Sequence, residues 1–234
     1  MKVLIACEES QRVCIAFREL GHLAFSCDII PPSGGYECWH ILGDALIAIR
    51  GGIIQTMDGA EHDVGRWDLI IGHPPCTYLT AASAVRLYAK GQLNQERLAK
   101  LREAAAFFRA ILDADCDRIC VENPVPLHIA ELPPYSQVIQ PYMFGDPWLK
   151  KTCLWLKGLP PLFATDPVEP QGYWIGAHGH DKAKRGMSKG FRDQKTRSKT
   201  FWGIARAMAS QWGGDIRKKK GDEIPDVKFG NDES

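Results

Sequence analysis

The chain has 234 residues, 45% of them hydrophobic, which is enough for one α/β domain with a small insertion. Its 29 basic and 28 acidic residues give a formal net charge of +1, so the overall charge does not indicate a nucleic-acid-binding protein. No apolar run is long enough to cross a membrane, and no signal peptide precedes the first predicted strand. We therefore expect a cytoplasmic protein with reduced cysteines, and we expect it to be a monomer.

Hydrophobic patterns predict a chain that alternates between strands and helices. Apolar runs of strand length stand at 2–6, 23–27, 39–42, 67–72 and 118–121, with weaker ones at 138–141 and 152–156. Helix-like patterns occur at 8–20, 45–50, 94–112 and 201–212. Residues 51–66 show no clear pattern and are expected to form an irregular insertion. The alternation predicts a doubly wound, mostly parallel α/β sheet.

Four chemically useful side chains follow the ends of predicted strands. They are Asp28, Asp44, Cys76 and Glu122. Right-handed crossovers would bring the carboxyl ends of these strands to one edge of the sheet, so we expect the four residues to lie there. Ligands of open α/β sheets bind at that edge, which makes it the predicted site.

The segment His73, Pro74, Pro75 and Cys76 predicts a stiff loop with a thiol at its tip. Proline donates no backbone hydrogen bond and fixes its own φ, so the preceding strand must end there. A cysteine held in this position is a candidate nucleophile. The alternative is a buried structural cysteine after a turn.

The cysteine spacing does not predict a metal site. The chain has eight cysteines, and Cys116 and Cys120 have three residues between them. No second Cys or His pair lies at a matching spacing, so we expect no zinc and no other metal.

Acidic residues after the second and third strands suit a cofactor that contains ribose and adenine. A carboxylate at Asp28 can accept both ribose hydroxyls, and one at Asp44 can meet the adenine amino group. The turn after the first strand has no glycine, and Glu8 and Glu9 within it would repel a pyrophosphate. These features favour S-adenosylmethionine, which has a cationic sulfur and no phosphate. The alternative is that both aspartates are only turn or helix-capping residues.

Two of the strand-end segments, in order, resemble the catalytic motifs of the DNA cytosine-5 methyltransferases. In that family a Pro-Cys pair supplies the nucleophile, and this chain has Pro-Pro-Cys at 74–76. A Glu-Asn-Val motif supplies the glutamate that recognises the base, and this chain has Val-Glu-Asn-Pro-Val at 121–125.

Other segments strengthen the resemblance. Asp28 and Asp44 fall where the family places its ribose and adenine ligands. The Lys-Lys-Thr segment at 150–152 is similar to the family's basic motif, and 197–202 is similar to the motif that opens its last helix. The resemblance covers roughly residues 1–213. It implies a class I S-adenosylmethionine-dependent methyltransferase fold with a short recognition insertion.

The resemblance implies methylation of cytosine C5 in DNA. The target base of a duplex substrate would have to be flipped out of the helix. Cys76 would add to ring carbon 6, Glu122 would assist at ring nitrogen 3, and Lys150 would help to neutralise the developing charge. The residues implied for the cofactor are Ala6, Cys7, Glu8, Asp28, Ile29, Asp44, His73, Pro74 and Thr200. The residues implied for the nucleic acid are Thr77, Tyr78, Asn123, Lys151, Arg185 and Arg192. For His73 we expect only backbone packing against the cofactor.

The sequence also departs from the family. Ala-Cys-Glu-Glu-Ser at 6–10 replaces a Phe-x-Gly-x-Gly turn, and lysines replace the two arginines of the basic motif. The recognition region is very short, at 163–197. We expect a catalytic core at 1–162, this recognition region, a returning helix at 198–213 and a disordered tail at 214–234. Such compactness resembles phage or prophage members, although a host restriction-modification enzyme is an alternative.

A basic block supports a nucleic-acid partner. Eight lysines and arginines lie between Lys182 and Lys199, opposed by Asp193 alone, and such a block suits a phosphate backbone. The alternative is a solvated loop without a partner.

Three further interpretations stay open. The same chemistry could act on single-stranded nucleic acid or on a pyrimidine nucleotide. An amino-methyltransferase would carry Asp/Asn-Pro-Pro followed by an aromatic residue, whereas here His73 stands first and Tyr78 comes two residues after Cys76. A non-catalytic nucleic-acid-binding protein on the same fold is the third.

Overall fold

The computed structural model describes residues 1–80, 84–89, 92–174 and 198–215. In chain order its strands are β1 (Lys2–Ala6), β2 (Leu23–Asp28), β3 (His40–Leu42), β4 (Gly52–Gln55), β5 (Glu61–Gly65), β6 (Leu69–Gly72), β7 (Tyr88–Ala89), β8 (Gln92–Leu93), β9 (Ile119–Pro124), β10 (Gln137–Ile139), β11 (Trp148–Leu149), β12 (Thr152–Lys157) and β13 (Gly172–Tyr173). Its helices are α1 (Arg12–Glu19), α2 (Ala45–Ala48), α3 (Ala84–Leu87), α4 (Gln95–Leu112) and α5 (Trp202–Met208).

A seven-stranded sheet forms the centre, in the order β10-β12-β9-β6-β1-β2-β3. The strands from β9 to β3 pair in parallel, and β12 pairs antiparallel with both β9 and β10. The central strands are buried on both faces, which explains their continuous apolar sequences. The predicted doubly wound, mostly parallel sheet is confirmed.

Each face of the sheet carries its own hydrophobic core. On one face, Leu4 and Ile70 pack with α4 residues such as Leu101 and Phe108. On the other face, alternate residues of the same strands pack with α1 and α5. Successive side chains of a strand point to opposite faces, so one strand contributes to both layers.

The helix at 94–112 agrees closely with its prediction. Asn94 is the N-cap, its side chain accepting a hydrogen bond from the Arg97 amide at 3.0 Å. Residues at spacings of three and four, including Leu98 and Ala105, are buried against the sheet. The helix therefore forms because one apolar face matches one core layer.

The expected irregular insertion at 51–66 is wrong. Strands β4 and β5 form an antiparallel hairpin, with Ile54 and Val64 buried in the core. Polar residues dominate β5, and the pairing register shifts between Gly52 and Ile53, so the sequence lacks a regular alternation. Two buried residues are enough to hold the hairpin against the sheet but too few to give a pattern.

Two predicted boundaries also change. The first helix begins at Arg12 rather than at residue 8, because Gln11 has a left-handed conformation with φ of 58°. Strand β9 continues past residue 121 to Pro124, because Glu122, Asn123 and Pro124 pair with residues of β12. The last helix ends earlier than predicted, at Met208, and continues as a π-helical turn over Ala209–Gly213.

Helix α5 returns to the core and packs against α1. Among the described residues, no helix combines the length and the apolar character needed to cross a bilayer.

Candidate active site

The carboxyl ends of the parallel strands meet at one edge of the sheet. Ala6 is level with Cys27 on one side and with Gly72 on the other, and Gly72 is level with Val121. Asp28 ends β2 and Glu122 lies in the second half of β9, whereas Asp44 and Cys76 follow β3 and β6. All four positions are therefore at the same edge of the sheet. The expected convergence of these four positions is what the topology produces.

The glycine-free turn after β1 is held by polar contacts. Cys7 and Gln11 both adopt positive φ, at 60° and 58°, which costs free energy in residues other than glycine. The buried Gln11 side chain donates to Ser26 Oγ at 3.1 Å and accepts from the Tyr36 amide at 3.1 Å. These bonds hold the turn in place without a glycine.

Glu8 closes the same turn from inside. Its carboxylate is buried and accepts hydrogen bonds from the Val13 amide at 2.7 Å and the Cys14 amide at 3.2 Å, at the start of α1. Burial raises the pKa of this carboxyl to about 7, against the opposing effects of His73 and the two amide donors. The Glu8 side chain thus caps α1, and its expected contact with the cofactor stays a prediction.

A pH-dependent stability follows for Glu8. Because the folded pKa lies above the usual 4.5, its contribution to stability is complete below about pH 4.5 and is lost as the pH rises through about 7. The shift corresponds to about 3 kcal/mol. Glu8→Gln should remove this component from the pH dependence of the free energy of unfolding. Urea denaturation at a series of pH values from about 4 to about 8 measures it.

The exposed Glu19 on the same helix offers a matched control. Glu19→Gln should leave the pH dependence of stability unchanged. If Glu8→Gln and the unsubstituted protein lose stability in parallel as the pH rises, the raised pKa of Glu8 is wrong.

An acidic cluster surrounds the turn. Burial, and then the charges of Asp28, Cys27 and Asp44, raise the pKa of the Cys7 thiol, so both carboxylates lie near this residue. Both carboxylate oxygens of Glu9 are buried and have no hydrogen-bond partner among the described residues. Buried, unpaired carboxylate oxygens are costly, and a ligand with donor groups or positive charge would satisfy them. The cluster fits a cationic, phosphate-free cofactor.

The two aspartates differ in their surroundings. Asp28 is half-buried, and burial raises its pKa, while its Oδ1 accepts from the Ile30 amide at 3.3 Å. Asp44 is exposed and is the N-cap of α2, accepting from the Leu46 amide at 2.8 Å. The capping role considered for Asp44 is therefore present, and it leaves the second carboxylate oxygen for other contacts.

Cys76 is one of two exposed cysteines. All eight lie in the described part of the chain, none is in a disulfide, and Cys38 is the other exposed one. Burial raises the pKa of the interior thiols, for example to about 12 for Cys27 and to about 11 for Cys153. Buried thiols of this kind are inert, so accessibility singles out Cys76 at the sheet edge.

The Cys76 loop is attached to the end of β9. The buried Asn123 side chain donates to the Pro74 carbonyl at 3.4 Å. Further along, the Leu127 amide donates to the Leu79 carbonyl at 2.7 Å, and Thr80 forms a bridge with Pro126. These contacts hold the thiol loop and the Glu122 strand as neighbours.

Glu122 sits between two basic groups. His73 Nδ1 lies 3.3 Å from Glu122 Oε2, and the two side chains are 10% and 18% exposed. Burial by itself would raise the pKa of Glu122, but the His73 hydrogen bond and the charges of Lys150 and His73 outweigh it and lower the pKa. Glu122 is therefore a carboxylate at neutral pH.

A small cleft opens beside Glu122. Its free volume is about 10 Å³, room for about one water molecule, and its lining includes Lys150, Thr200 and Phe201. The Lys150 ammonium lies 5.9 Å from the Phe201 ring centroid, and the Thr200 carbonyl accepts from Arg12 Nη1 at 2.8 Å. The segment that opens α5 thus reaches the same site as Glu122.

The remaining residues predicted to bind the cofactor or the nucleic acid differ in how exposed they are. Ala6 and Pro74 are buried, and the Ala6 carbonyl accepts from the His73 amide at 2.9 Å. Ile29 is 79% exposed at the rim, and Lys151 is exposed, with its charge acting on Cys153 rather than on Glu122.

Two predicted nucleic-acid contacts, Thr77 and Tyr78, lie beside α4. The Arg97 guanidinium lies over the Tyr78 ring at 4.9 Å and donates to the Thr77 carbonyl at 3.4 Å. The predicted contacts Arg185 and Arg192 fall outside the described residues, as does most of the basic block.

Sequence reasoning missed the side chains of His73 and Glu9. His73 was expected to act through its backbone, yet its ring pairs with Glu122. The strand pairing would have indicated this contact. Gly72 of β6 is level with Val121 of β9, so the next residues, His73 and Glu122, lie side by side. The described part of the chain contains no cluster of three or more His, Cys, Asp or Glu residues able to hold a metal ion.

No family model and no curated protein matches the chain. Among solved structures, a protein described as a DNA modification methyltransferase encoded within a prophage (E. coli) shares 13% identity, with 72% of this chain and 53% of that chain covered and a TM-score of 0.43. The S. pombe Dnmt2 methyltransferase shares 12% identity over 69% and 50% of the two chains, with a TM-score of 0.36. The Entamoeba histolytica methyltransferase EhMeth shares 8% over 77% and 61%, with a TM-score of 0.37.

This chain thus spans about half to three-fifths of the length of those structures. With identities of 13% or less and TM-scores below 0.5, the similarities assign no activity to it.

Proposed function

We propose that this protein is an S-adenosylmethionine-dependent methyltransferase that modifies C5 of cytosine in DNA. The observation that carries the proposal is the junction of the exposed Cys76 loop with Glu122 at the carboxyl edge of the sheet. A thiol and a carboxylate on neighbouring segments are the two groups that pyrimidine C5 chemistry requires. The order and context of the two motifs in the sequence support the same assignment.

Cys76 is the proposed nucleophile. C5 of cytosine is too weakly nucleophilic to attack a methyl group directly. Addition of the Cys76 thiolate forms an S–C6 bond and moves the electron pair of the C5–C6 double bond toward C5 and the ring. After methyl transfer, a water molecule accepts the C5 proton, and the electron pair of that C–H bond re-forms the C5–C6 double bond and expels the Cys76 thiolate. The loop that presents Cys76 is stiffened by Pro74 and Pro75.

Glu122 is the proposed recognition group. During thiolate addition, negative charge develops at ring nitrogen 3 and at its neighbours, and a hydrogen-bonding group there stabilises it. Glu122 Oε2 is oriented by His73 at 3.3 Å, and the charge of Lys150 acts on the same carboxylate. A preorganised carboxyl between two basic groups can exchange a proton with the base without rearranging.

The acidic cluster is the proposed cofactor site. S-adenosylmethionine supplies an electrophilic methyl group. Asp28 would hold the ribose, Asp44 the adenine side, and the buried, unpartnered Glu9 carboxylate would meet the cationic end of the molecule. Three acids around a turn that lacks glycine favour such a ligand over a nucleotide with phosphates.

Duplex DNA is the proposed substrate, with the target cytosine flipped out toward Glu122, as the chemistry on a paired base requires. The amino-methyltransferase alternative would need an aromatic residue directly after Pro-Pro. Cys76 occupies that position, and the Tyr78 ring is covered by Arg97.

Product analysis separates the alternatives. The protein is incubated with methyl-labelled S-adenosylmethionine and, in parallel, duplex DNA, single-stranded DNA, RNA or cytidine nucleotides, and the digested nucleosides are identified by mass spectrometry. We expect 5-methylcytosine from duplex DNA. Label in N4-methylcytosine or N6-methyladenine would replace the proposal by an amino-methyltransferase, and no label in any arm would support a binding protein without this activity.

Cofactor affinity tests the role of Asp28. Asp28→Ala should weaken S-adenosylmethionine binding by about 10- to 100-fold in calorimetry, since a charge-assisted hydrogen bond contributes roughly 1.5–3 kcal/mol. Asp113→Ala is the control, because Asp113 is exposed at the end of α4 that leads into β9, at the opposite sheet edge. Equal affinities in the two variants would reject the ribose assignment.

A further inference from the structure

His73 lies between the carboxyl ends of β1 and β9. His73 follows the last residue of β6, and its amide donates to the Ala6 carbonyl at 2.9 Å, which ties it to the end of β1. Its ring turns toward β9, where Nδ1 meets Glu122 Oε2 at 3.3 Å. Both side chains are largely buried, so solvent screens the pair only weakly.

The charged groups around the His73 ring determine which of them can exchange a proton with it. Glu122 faces it from β9, and Glu8 interacts with it from the turn after β1, since the charge of His73 opposes the raised pKa of Glu8. Lys150, which precedes β12, acts on the Glu122 side of the pair. Glu8 is already bound to two backbone amides of α1. Glu122 is therefore the acid placed to share a proton with His73.

The second ring nitrogen supports a role beyond packing. His73 Nε2 is buried and has no hydrogen-bond partner among the residues described. A histidine kept only for structure would normally satisfy both nitrogens, because an unpaired buried polar atom is costly. Here one nitrogen meets Glu122, and the other has no hydrogen-bond partner in the described part of the chain.

We propose that His73 is a positioning residue that orients Glu122 and supplies, then takes back, the proton that Glu122 exchanges with the target pyrimidine. The inference rests on the proposed function and goes beyond it, because it assigns the source of that proton. Glu122 is ionised at rest, and His73 Nδ1 lies against it as the proposed proton donor. As Cys76 adds to C6, the Nδ1 proton passes to Glu122, and Glu122 then gives that proton to ring nitrogen 3.

The balance closes within the pair. After this step His73 has given up one proton, Glu122 is again a carboxylate and nitrogen 3 carries the proton. When the thiolate leaves, nitrogen 3 returns its proton through Glu122 to His73. No oxidant, reductant or further reactant is needed. His73 and Glu122 thus share one exchangeable proton, and the proton belongs to the pair rather than to either residue.

Replacing His73 by glutamine separates orientation from proton transfer, because an amide can donate a hydrogen bond to Glu122 but cannot titrate. Single-turnover methyl transfer to duplex DNA is measured against pH for the parent, His73→Gln, His73→Ala and the exposed control His128→Gln. The parent rate should fall at alkaline pH as the pair loses its proton. His73→Gln should be slower by at least about 10-fold and should lack that alkaline limb. His128→Gln should follow the parent.

A second readout does not depend on activity. Carboxyl-carbon NMR, with the Glu122 signal identified by its absence in Glu122→Gln, should show the Glu122 titration moving to higher pH in His73→Ala. Calorimetry should show unchanged S-adenosylmethionine affinity in His73→Gln, which excludes misfolding as the cause.

The two hypotheses fail in different ways. If the parent methylates no pyrimidine, the proposed function is wrong and the proton assignment falls with it. If the parent is active but His73→Gln keeps the parent pH profile, or Glu122 titrates unchanged in His73→Ala, the proposed function stands and the role of His73 is rejected.

Discussion

Cys76→Ala is expected to abolish methyl transfer to DNA, by about 10⁴-fold or more, while S-adenosylmethionine affinity stays unchanged. The large loss follows because Cys76 is the proposed source of the bond to C6. The affinity should persist because the acidic cluster lies around the turn after β1 and does not include this loop. Single-turnover transfer of labelled methyl groups and calorimetry on the same preparations measure the two quantities.

Cys38→Ala provides the matched control, since Cys38 is the other exposed cysteine. It should keep parental transfer. Transfer by Cys76→Ala within a few-fold of the parent would show that no thiolate addition occurs at this position.

Glu122→Gln is expected to slow transfer by roughly 10²- to 10⁴-fold, the range typical of a lost general acid or charge-stabilising group. Glutamine keeps the shape of the side chain but cannot carry the negative charge that pairs with His73 and Lys150 or pass a proton to the base. Cofactor affinity should change little, so the defect should appear in the rate of the chemical step rather than in binding of S-adenosylmethionine.

The exposed Glu61 on the β4–β5 hairpin gives the control Glu61→Gln, which should behave as the parent. If Glu122→Gln transfers methyl groups at the parental rate and the parent is active, Glu122 has no part in the reaction and is only a paired residue at the end of β9.

Much of the fold is encoded locally, which is why the sequence predicts it. Buried parallel strands such as β1 and β6 are continuous apolar runs, and α4 shows its apolar face directly. The hairpin at 51–66 was missed because it buries only Ile54 and Val64 and depends on glycine geometry at its base.

The site was only partly predictable, for a physical reason. Residues that directly follow strands could be placed at one edge by topology alone, and this brought Cys76 and Glu122 together. Side-chain direction is not encoded that way. Glu8 turns inward to cap α1 and Asp44 caps α2, through amides two to six residues further along the chain. The ring of His73 pairs with Glu122, which lies 49 residues away in the sequence.

Covalent trapping tests the central claim most directly. The protein is incubated with S-adenosylmethionine and duplex DNA carrying 5-fluorocytosine, whose fluorine cannot leave as the C5 proton does, and adducts are mapped by peptide mass spectrometry. Our account predicts a stable adduct on the peptide that contains Cys76, absent in Cys76→Ala and retained in Cys38→Ala. No adduct with duplex DNA, single-stranded DNA or RNA, or an adduct at another residue, would contradict it.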